Sequence, residues 1–341
     1  MTKVKVTNTN ILLMVVVIVL TVVPQLAIVI LYEYFHIDIG EYLKEGDTAK
    51  AILLAVNQYG FIFLPVMIFT LINRLNVKEV FRLNLINIPT LILTIIMALA
   101  AWFISQFVTI IIYHIYSSII GQPSNEMADV IPENIALGMF LIALFPAICE
   151  EALFRGITLK AYENRGTVRA IIISAALFSI IHLSVIRFAG PLIIGILAGY
   201  LVVKSNSILP GIITHFVFNG ISMTIFYAVD KFPEEVERFP TIPEYLVLSF
   251  VTLFFLGVLA VCIIAFNYVN LSKKNVKYDN PVVEFLYLVL WGAPKEPGRF
   301  RKPIGTIRQD IISILSYAPI IVILVIVVLI NILEVLEILL R

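Results

Sequence analysis

Long apolar runs alternate with short polar segments along the whole chain. At 1.5 Å per residue, an apolar helix of about 20 residues crosses the roughly 30 Å core of a bilayer. The pattern predicts an all-α, polytopic helical membrane protein with about eight to nine transmembrane helices. The apolar segments cover about 11–32, 51–73, 88–118, 134–163, 167–184, 188–203, 207–227, 244–268 and 310–337.

Composition supports an integral, multi-pass membrane protein. Of the 341 residues, 60% are hydrophobic and 14% are charged, whereas soluble domains are about half apolar and a quarter charged. The net charge of +1 gives no reason to expect nucleic acid as a partner. The two cysteines, Cys149 and Cys262, lie in apolar runs and indicate neither a disulfide framework nor a CxxC metal site. The first apolar segment is interpreted as a retained anchor rather than a signal peptide, since no small-residue cleavage site is evident.

The charges between the apolar segments predict an orientation. Acidic residues dominate the first and third loops, whereas the N-terminus, the second loop, the fourth turn and the loop 269–309 are basic. Because cytoplasmic loops are enriched in Lys and Arg, we expect the N-terminus inside and the C-terminus outside. The loop 269–309 also contains an apolar piece, 282–290, followed by Trp291. It is interpreted either as an interfacial segment on anionic lipid or as ordinary charge bias.

Three charged residues interrupt one of the most apolar regions. Glu150, Glu151 and Arg155 lie within the segment 134–163. A charge inside a lipid-buried helix costs about 2.5–3.5 kcal/mol on insertion scales and commonly has a functional reason. Glu151 and Arg155 are four residues apart, which is the spacing of a helical ion pair. Glu150 points about 100° away from Glu151 and is free of that pairing.

Two histidines lie in later apolar segments. His182 is four residues after Phe178, and His215 is four residues before Asn219, so each pair shares a helical face. The polar turn 164–166 makes its two flanking segments antiparallel, which places His182 within about one helical turn of Glu150. A second hairpin brings His215 to the same side. We therefore expect a polar cavity inside the membrane that gathers Glu150, Glu151, Arg155, His182, His215 and Asn219.

These residue types suit the hydrolysis of an amide by water. A buried glutamate beside a histidine can hold and deprotonate a water molecule. A second histidine with an asparagine can donate hydrogen bonds to a developing oxyanion. The alternative is that the acid–base pairs have only a structural role and hold the helices together.

The three motifs, Glu150-Glu151-x-x-x-Arg155, Phe178-x-x-x-His182 and His215-x-x-x-Asn219, resemble those of the CAAX-protease and bacteriocin-processing family. These are intramembrane glutamate proteases, and they include the CAAX prenyl endopeptidases of the Ras-converting type. The resemblance covers about 134–222. It implies that Glu150 and His182 activate water and that His215 and Asn219 form the oxyanion hole. Glu151 and Arg155 would position Glu150.

The resemblance implies an endopeptidase that needs no metal or other cofactor and has a cavity opening to the cytoplasmic side and to lipid. The expected partners are the lipid bilayer and a prenylated or membrane-associated peptide or protein, from which a C-terminal tripeptide is removed. The chain would divide into N-terminal transmembrane helices (1–133), a catalytic core (134–227) and C-terminal transmembrane helices with the basic loop (228–341).

Four other interpretations stay open. Glu150, His182 and His215 are a known ligand combination for a zinc protease. Cys149 is a conceivable thiol nucleophile, although a free buried cysteine is commonly a small hydrophobe. A transporter uses intramembrane carboxylates and histidines as a proton relay. The resemblance also allows a non-catalytic role, since some members of that family act as immunity or scaffold proteins.

Overall fold

The computed structural model describes residues 4–44, 46–122, 130–229, 240–270 and 318–340. Across these ranges the chain is helical and contains no β-strand. Seven of the described helices are long and apolar enough to cross a membrane, and two apolar helices are shorter. The helices are α1 (Val6–Phe35), α2 (Ile39–Lys44), α3 (Asp47–Ile72), α4 (Val77–Val80), α5 (Ile88–Ile119), α6 (Ile135–Arg165), α7 (Thr167–Ile180), α8 (Ala189–Ser205), α9 (Leu209–Val229), α10 (Ile242–Val269) and α11 (Ala318–Leu340).

The predicted all-α polytopic architecture is confirmed, with one change in the helix count. The segments predicted at 167–184 and 188–203 form α7 and α8, which have 14 and 17 residues. At 1.5 Å per residue they are about 21 and 26 Å long, short of a bilayer core of roughly 30 Å. They form a short helical hairpin rather than two full spans. The loop 269–309 and the apolar piece 282–290 lie almost wholly outside the described residues.

α7 ends earlier than predicted because the chain turns at its last residues. The helix stops at Ile180, and Leu183 takes a left-handed conformation with φ of 59°. A β-carbon makes this conformation unfavourable, so the turn requires support from its surroundings. His182 therefore lies in the turn between α7 and α8 rather than within a helix.

Two π-helical segments precede prolines. Val56–Phe63 in α3 runs up to Pro65, and Met139–Leu144 in α6 runs up to Pro146. Proline has no amide hydrogen, so the carbonyl four residues before it loses its α-helical partner. The wider π-helical turn is a local adjustment to that loss, and such turns are frequent at functional sites.

α6 is the most buried of the seven long helices. The α7–α8 hairpin packs against α6, and α9 packs against both α6 and α8. α5 lies against α8, α9 and α10. At one end of the molecule, the Asp47 carboxylate accepts hydrogen bonds from the backbone of Glu133 and Asn134, and at the other end Arg82 pairs with Glu163. The acidic first and third loops thus meet at one end, and the basic second loop meets the end of α6, beside the fourth turn, at the other.

Gly195 allows α7 and α8 to approach closely. A β-carbon at Gly195 would lie 2.9 Å from the β-carbon of Ala175 and 3.1 Å from its α-carbon. A larger side chain must push the two helices apart. A β-carbon at Gly257, in α10, would meet nothing within 4 Å.

We expect Gly195→Val to lower the free energy of unfolding by about 1–3 kcal/mol through overpacking. Thermal unfolding in detergent measures this with a thiol-reactive dye, because both cysteines are buried in the folded chain. Gly257→Val is the matched control and should unfold like the wild type. Equal melting temperatures for both variants would contradict the close packing of α7 and α8.

Candidate active site

A fully buried ion pair anchors the site. Arg155 Nη1 lies 2.6 Å from Glu151 Oε1, and the two side chains are 1% and 0% exposed. Arg155 Nη2 also donates to the carbonyl of Gly195 at 3.1 Å, and the guanidinium lies 4.6 Å from the ring centroid of Phe178. One guanidinium thus binds α6, α7 and α8 together. The predicted helical pairing of Glu151 with Arg155 is present.

A third π-helical segment, Ala152–Thr158, follows the two glutamates directly. Three successive carbonyls of this segment accept hydrogen bonds from side chains, one local and two from outside α6. The bonds run from Thr158 Oγ1 to Leu153 O at 2.9 Å, from Ser174 Oγ to Phe154 O at 2.8 Å, and from Arg82 Nη1 to Arg155 O at 3.3 Å.

Glycine is required at position 156 of this segment, because a β-carbon there would lie 2.4 Å from the ring of Phe81.

The two glutamates have different surroundings. Glu150 is 7% exposed, and its Oε1 accepts a hydrogen bond of 3.1 Å from Gln58 Nε2 in α3. Its Oε2 is buried without a hydrogen-bond partner among the described residues. His215 Nε2 lies 3.9 Å from Oε2. Among the described residues, one oxygen of Glu150 is therefore held by a hydrogen bond and the other has none.

His215 lies between the two carboxylates. It is 3% exposed, and its Nδ1 lies 3.2 Å from Glu151 Oε1. A hydrogen on Nδ1 donates to that carboxylate, which leaves Nε2 to face Glu150. Glu151 therefore contacts both Arg155 and His215, and no hydrogen bond joins it to Glu150 among the described residues. Glycine at position 211 leaves room for Glu151, because a β-carbon there would lie 2.6 Å from Glu151 Oε2.

Phe178 connects the two histidines. Its ring lies edge-to-face with both, with centroid distances of 5.0 Å to His182 and 5.4 Å to His215. His182 Nδ1 is 2.8 Å from the Phe178 carbonyl oxygen. Because a carbonyl oxygen can only accept, the ring hydrogen lies on Nδ1, and Nε2 of the neutral ring carries none. No hydrogen bond or ion pair joins His182 to Glu150 in the described ranges.

Asn331 of α11 holds the turn that carries His182. Its Nδ2 donates to Leu183 O at 3.0 Å, and its Oδ1 accepts from Val185 N at 3.1 Å. These two bonds satisfy backbone groups on both sides of Ser184, beside the left-handed residue Leu183. The C-terminal helix thus braces the loop between α7 and α8.

Asn219 binds a backbone carbonyl that lies four residues before a proline. Its Nδ2 donates to Ile142 O at 3.2 Å. In an α-helix Ile142 O would accept from the amide of residue 146, but Pro146 has no amide hydrogen. No acceptor for the second amide hydrogen of Asn219 occurs among the described residues. Asn219 lies one helical turn from His215, as the spacing predicted, and has no bond to either glutamate within the described part of the chain.

The structure brings together most of the residues that the sequence singled out. Glu150, Glu151, Arg155, Phe178 and His215 form one contact cluster, and His182 joins it through Phe178. Sequence reasoning missed Gln58 and Asn331. Each is a polar residue inside an otherwise apolar segment, which is the signal that points to a buried hydrogen bond. No group of three His, Cys, Asp or Glu side chains able to hold a metal ion occurs among the described residues.

Fold and site together define a polytopic helical membrane protein with a buried carboxylate–histidine cluster. The family model described as Type II CAAX prenyl endopeptidase Rce1-like matches residues 132–221, which include all three motifs. These residues are an Rce1-like domain, which confirms the family resemblance and implies a protease. No protein of curated function and no solved structure matches the chain.

Replacement by glutamine should lower the stability of the protein at Glu151 but not at Glu150. Glu151→Gln leaves Arg155 buried without its counter-charge, and breaking such a pair costs about 3–5 kcal/mol. Glu150→Gln removes a buried charge but keeps an acceptor for Gln58, so its stability should match or exceed that of the wild type. Thermal unfolding of the two purified variants measures the difference. Comparable destabilisation by both would contradict the assigned partners.

Asn331→Leu should loosen the turn that carries His182. The substitution keeps the volume but removes the bonds to the Leu183 carbonyl and the Val185 amide, and the part-buried bond to Leu183 alone contributes about 0.5–1.5 kcal/mol. Hydrogen–deuterium exchange over residues 181–188 should accelerate. Val328→Leu, on the exposed side of α11, is the control and should leave the exchange unchanged. Wild-type protection in Asn331→Leu would refute the bracing role.

Proposed function

We propose that this protein is an intramembrane endopeptidase that hydrolyses a peptide bond with a water molecule activated by Glu150 and His182. The observation that carries the proposal is the carboxylate of Glu150, which is buried inside the Rce1-like segment and has one oxygen without a hydrogen-bond partner among the described residues. A buried carboxylate with a free oxygen beside histidines is the arrangement that general-base catalysis requires.

In the proposed reaction the water oxygen attacks the scissile carbonyl carbon while Glu150 Oε2 takes a proton from the water. His182 contributes Nε2 as an acceptor that orients the same water, since its Nδ1–H is engaged by the Phe178 carbonyl. The proton then passes from Glu150 to the leaving nitrogen as the C–N bond breaks. The products are a carboxylic acid and an amine.

His215 and Asn219 suit stabilisation of the oxyanion. When both ring nitrogens carry a proton, His215 can donate from Nε2 toward the cavity while its Nδ1–H stays bound to Glu151. Asn219 has one amide hydrogen bound to Ile142 and a second one to offer. Removing one such donor from an enzyme commonly costs about 10²–10³-fold in kcat. Glu151 and Arg155 would act by holding His215 in place.

The proposed substrate is a C-terminal CAAX sequence with a prenylated cysteine, from which the last three residues are released. The family description names CAAX prenyl endopeptidases. A site within the membrane suits a substrate whose prenyl chain lies in lipid while its peptide reaches water. The basic loops assign the cytoplasmic side to the turn between α6 and α7, and we propose that the cavity opens there.

Cleavage of a farnesylated, internally quenched CAAX peptide by the purified protein tests this function. We expect cleavage that persists with a metal chelator and falls at least about a hundredfold in Glu150→Gln, His182→Ala and His215→Ala, because general acid–base groups contribute about 10²–10⁴-fold. Cys149→Ala is the control and should remain active.

Other outcomes would contradict particular parts of the proposal. Wild-type activity in Glu150→Gln would refute the role of that carboxylate. Inactivation by chelator with recovery on adding zinc would indicate a metalloprotease. Equal cleavage of the peptide without its farnesyl group would contradict the prenyl requirement, and no cleavage of either peptide would refute the peptidase activity on CAAX sequences.

A further inference from the structure

Gln58 reaches the candidate catalytic carboxylate from outside the Rce1-like segment. It lies in α3, whereas the family model covers residues 132–221. Its Nε2 donates to Glu150 Oε1 at 3.1 Å, and it is the one hydrogen-bond donor to Glu150 among the described residues. Nothing in the three motifs assigns this residue a role.

The local fold aims Gln58 at the site. It belongs to the π-helical segment Val56–Phe63, which precedes Pro65. This segment packs against the Phe145–Glu151 portion of α6, which carries both glutamates. A π-helical turn changes the direction in which the following side chains project, and such turns occur frequently at functional sites.

The orientation of the Gln58 amide follows from its neighbour. Its Oε1 is buried without a partner in the described structure. Rotating the amide by 180° would place this oxygen against a carboxylate oxygen, and two acceptors repel each other. The nitrogen therefore faces Glu150 Oε1, and the amide oxygen faces away from it. The pair presents two buried acceptors, Gln58 Oε1 and Glu150 Oε2, that still lack a donor.

We propose that Gln58 is a positioning residue for the hydrolytic reaction. Its amide hydrogen holds Glu150 Oε1, so Oε2 is the carboxylate oxygen that receives the proton of the attacking water. Fixing one oxygen also restricts rotation of a side chain that otherwise has several rotamers. This inference rests on the proposed function, since it assigns Glu150 as the base.

Gln58→Met tests the role, because methionine has a similar length and no amide. We expect kcat to fall about tenfold to a hundredfold, the range for loss of a hydrogen bond to a charged group. KM should stay within about twofold, since Gln58 acts on the base rather than on substrate binding. In a Glu150→Gln background, Gln58→Met should cause no further loss.

Thr70→Val is the matched control. Thr70 is a buried polar residue of the same helix, and its hydroxyl donates locally to Val66 O at 2.7 Å. The change is isosteric and removes one buried hydroxyl, but it lies three helical turns from Gln58. Its kcat and KM should both stay near wild type. A merely structural role of polar groups in α3 would instead lower activity in both variants together.

A measurement without substrate decides whether the contact exists. Thermal unfolding of Gln58→Met, Glu150→Leu and the double variant forms a double-mutant cycle. We expect the two substitutions to be non-additive, because either one removes the same hydrogen bond. Additive effects would overturn the inference even if the wild type cleaves no peptide tested. Wild-type kcat in Gln58→Met, with an active parent enzyme, would overturn it while leaving the proposed function intact.

Discussion

The buried ion pair between Glu151 and Arg155 is the contact on which the site depends. Both charges are withdrawn from solvent, and neither is tolerable alone in such surroundings. Arg155 uses its second nitrogen to bind the Gly195 carbonyl, and Glu151 uses the same carboxylate to hold His215. The pair thereby connects α6 with α8 and α9, so the position of His215 is determined by a contact that is also required for helix packing.

Prolines and π-helical turns give this helical protein the irregular backbone that the site uses. Pro146 removes the α-helical partner of the Ile142 carbonyl, and Asn219 takes that carbonyl as its acceptor. The segment Ala152–Thr158 presents carbonyls to side chains of neighbouring elements. In a membrane every buried backbone group needs a partner within the protein. Each departure from α-helical bonding is therefore a place where another side chain must bind.

Much of the site could be predicted from the sequence because its strongest signals are local. Spacings of four residues placed Glu151 beside Arg155 and Phe178 beside His182, and the turn at 164–166 brought α6 and α7 together. Gln58 and Asn331 could not be predicted in the same way. Their partners are 92 and 146–148 residues away in the chain, and an uncharged amide in an apolar helix does not reveal which neighbour it meets. The early end of α7 depended on the same distant support.

Glu150 and Glu151 are adjacent in the chain but have different surroundings. Glu151 has two charged or chargeable partners and no exposure, which suits a structural anion. Within the described part of the chain, Glu150 has one neutral donor and one oxygen without a partner. Adjacent carboxylates in unequal environments are the usual basis for dividing support from proton transfer. Because that inequality depends on Gln58 of α3, and the turn of His182 depends on Asn331 of α11, helices outside residues 132–221 complete the site. The Rce1-like segment on its own would contain the motifs and the contacts among them, but it would lack the hydrogen bonds from Gln58 and Asn331.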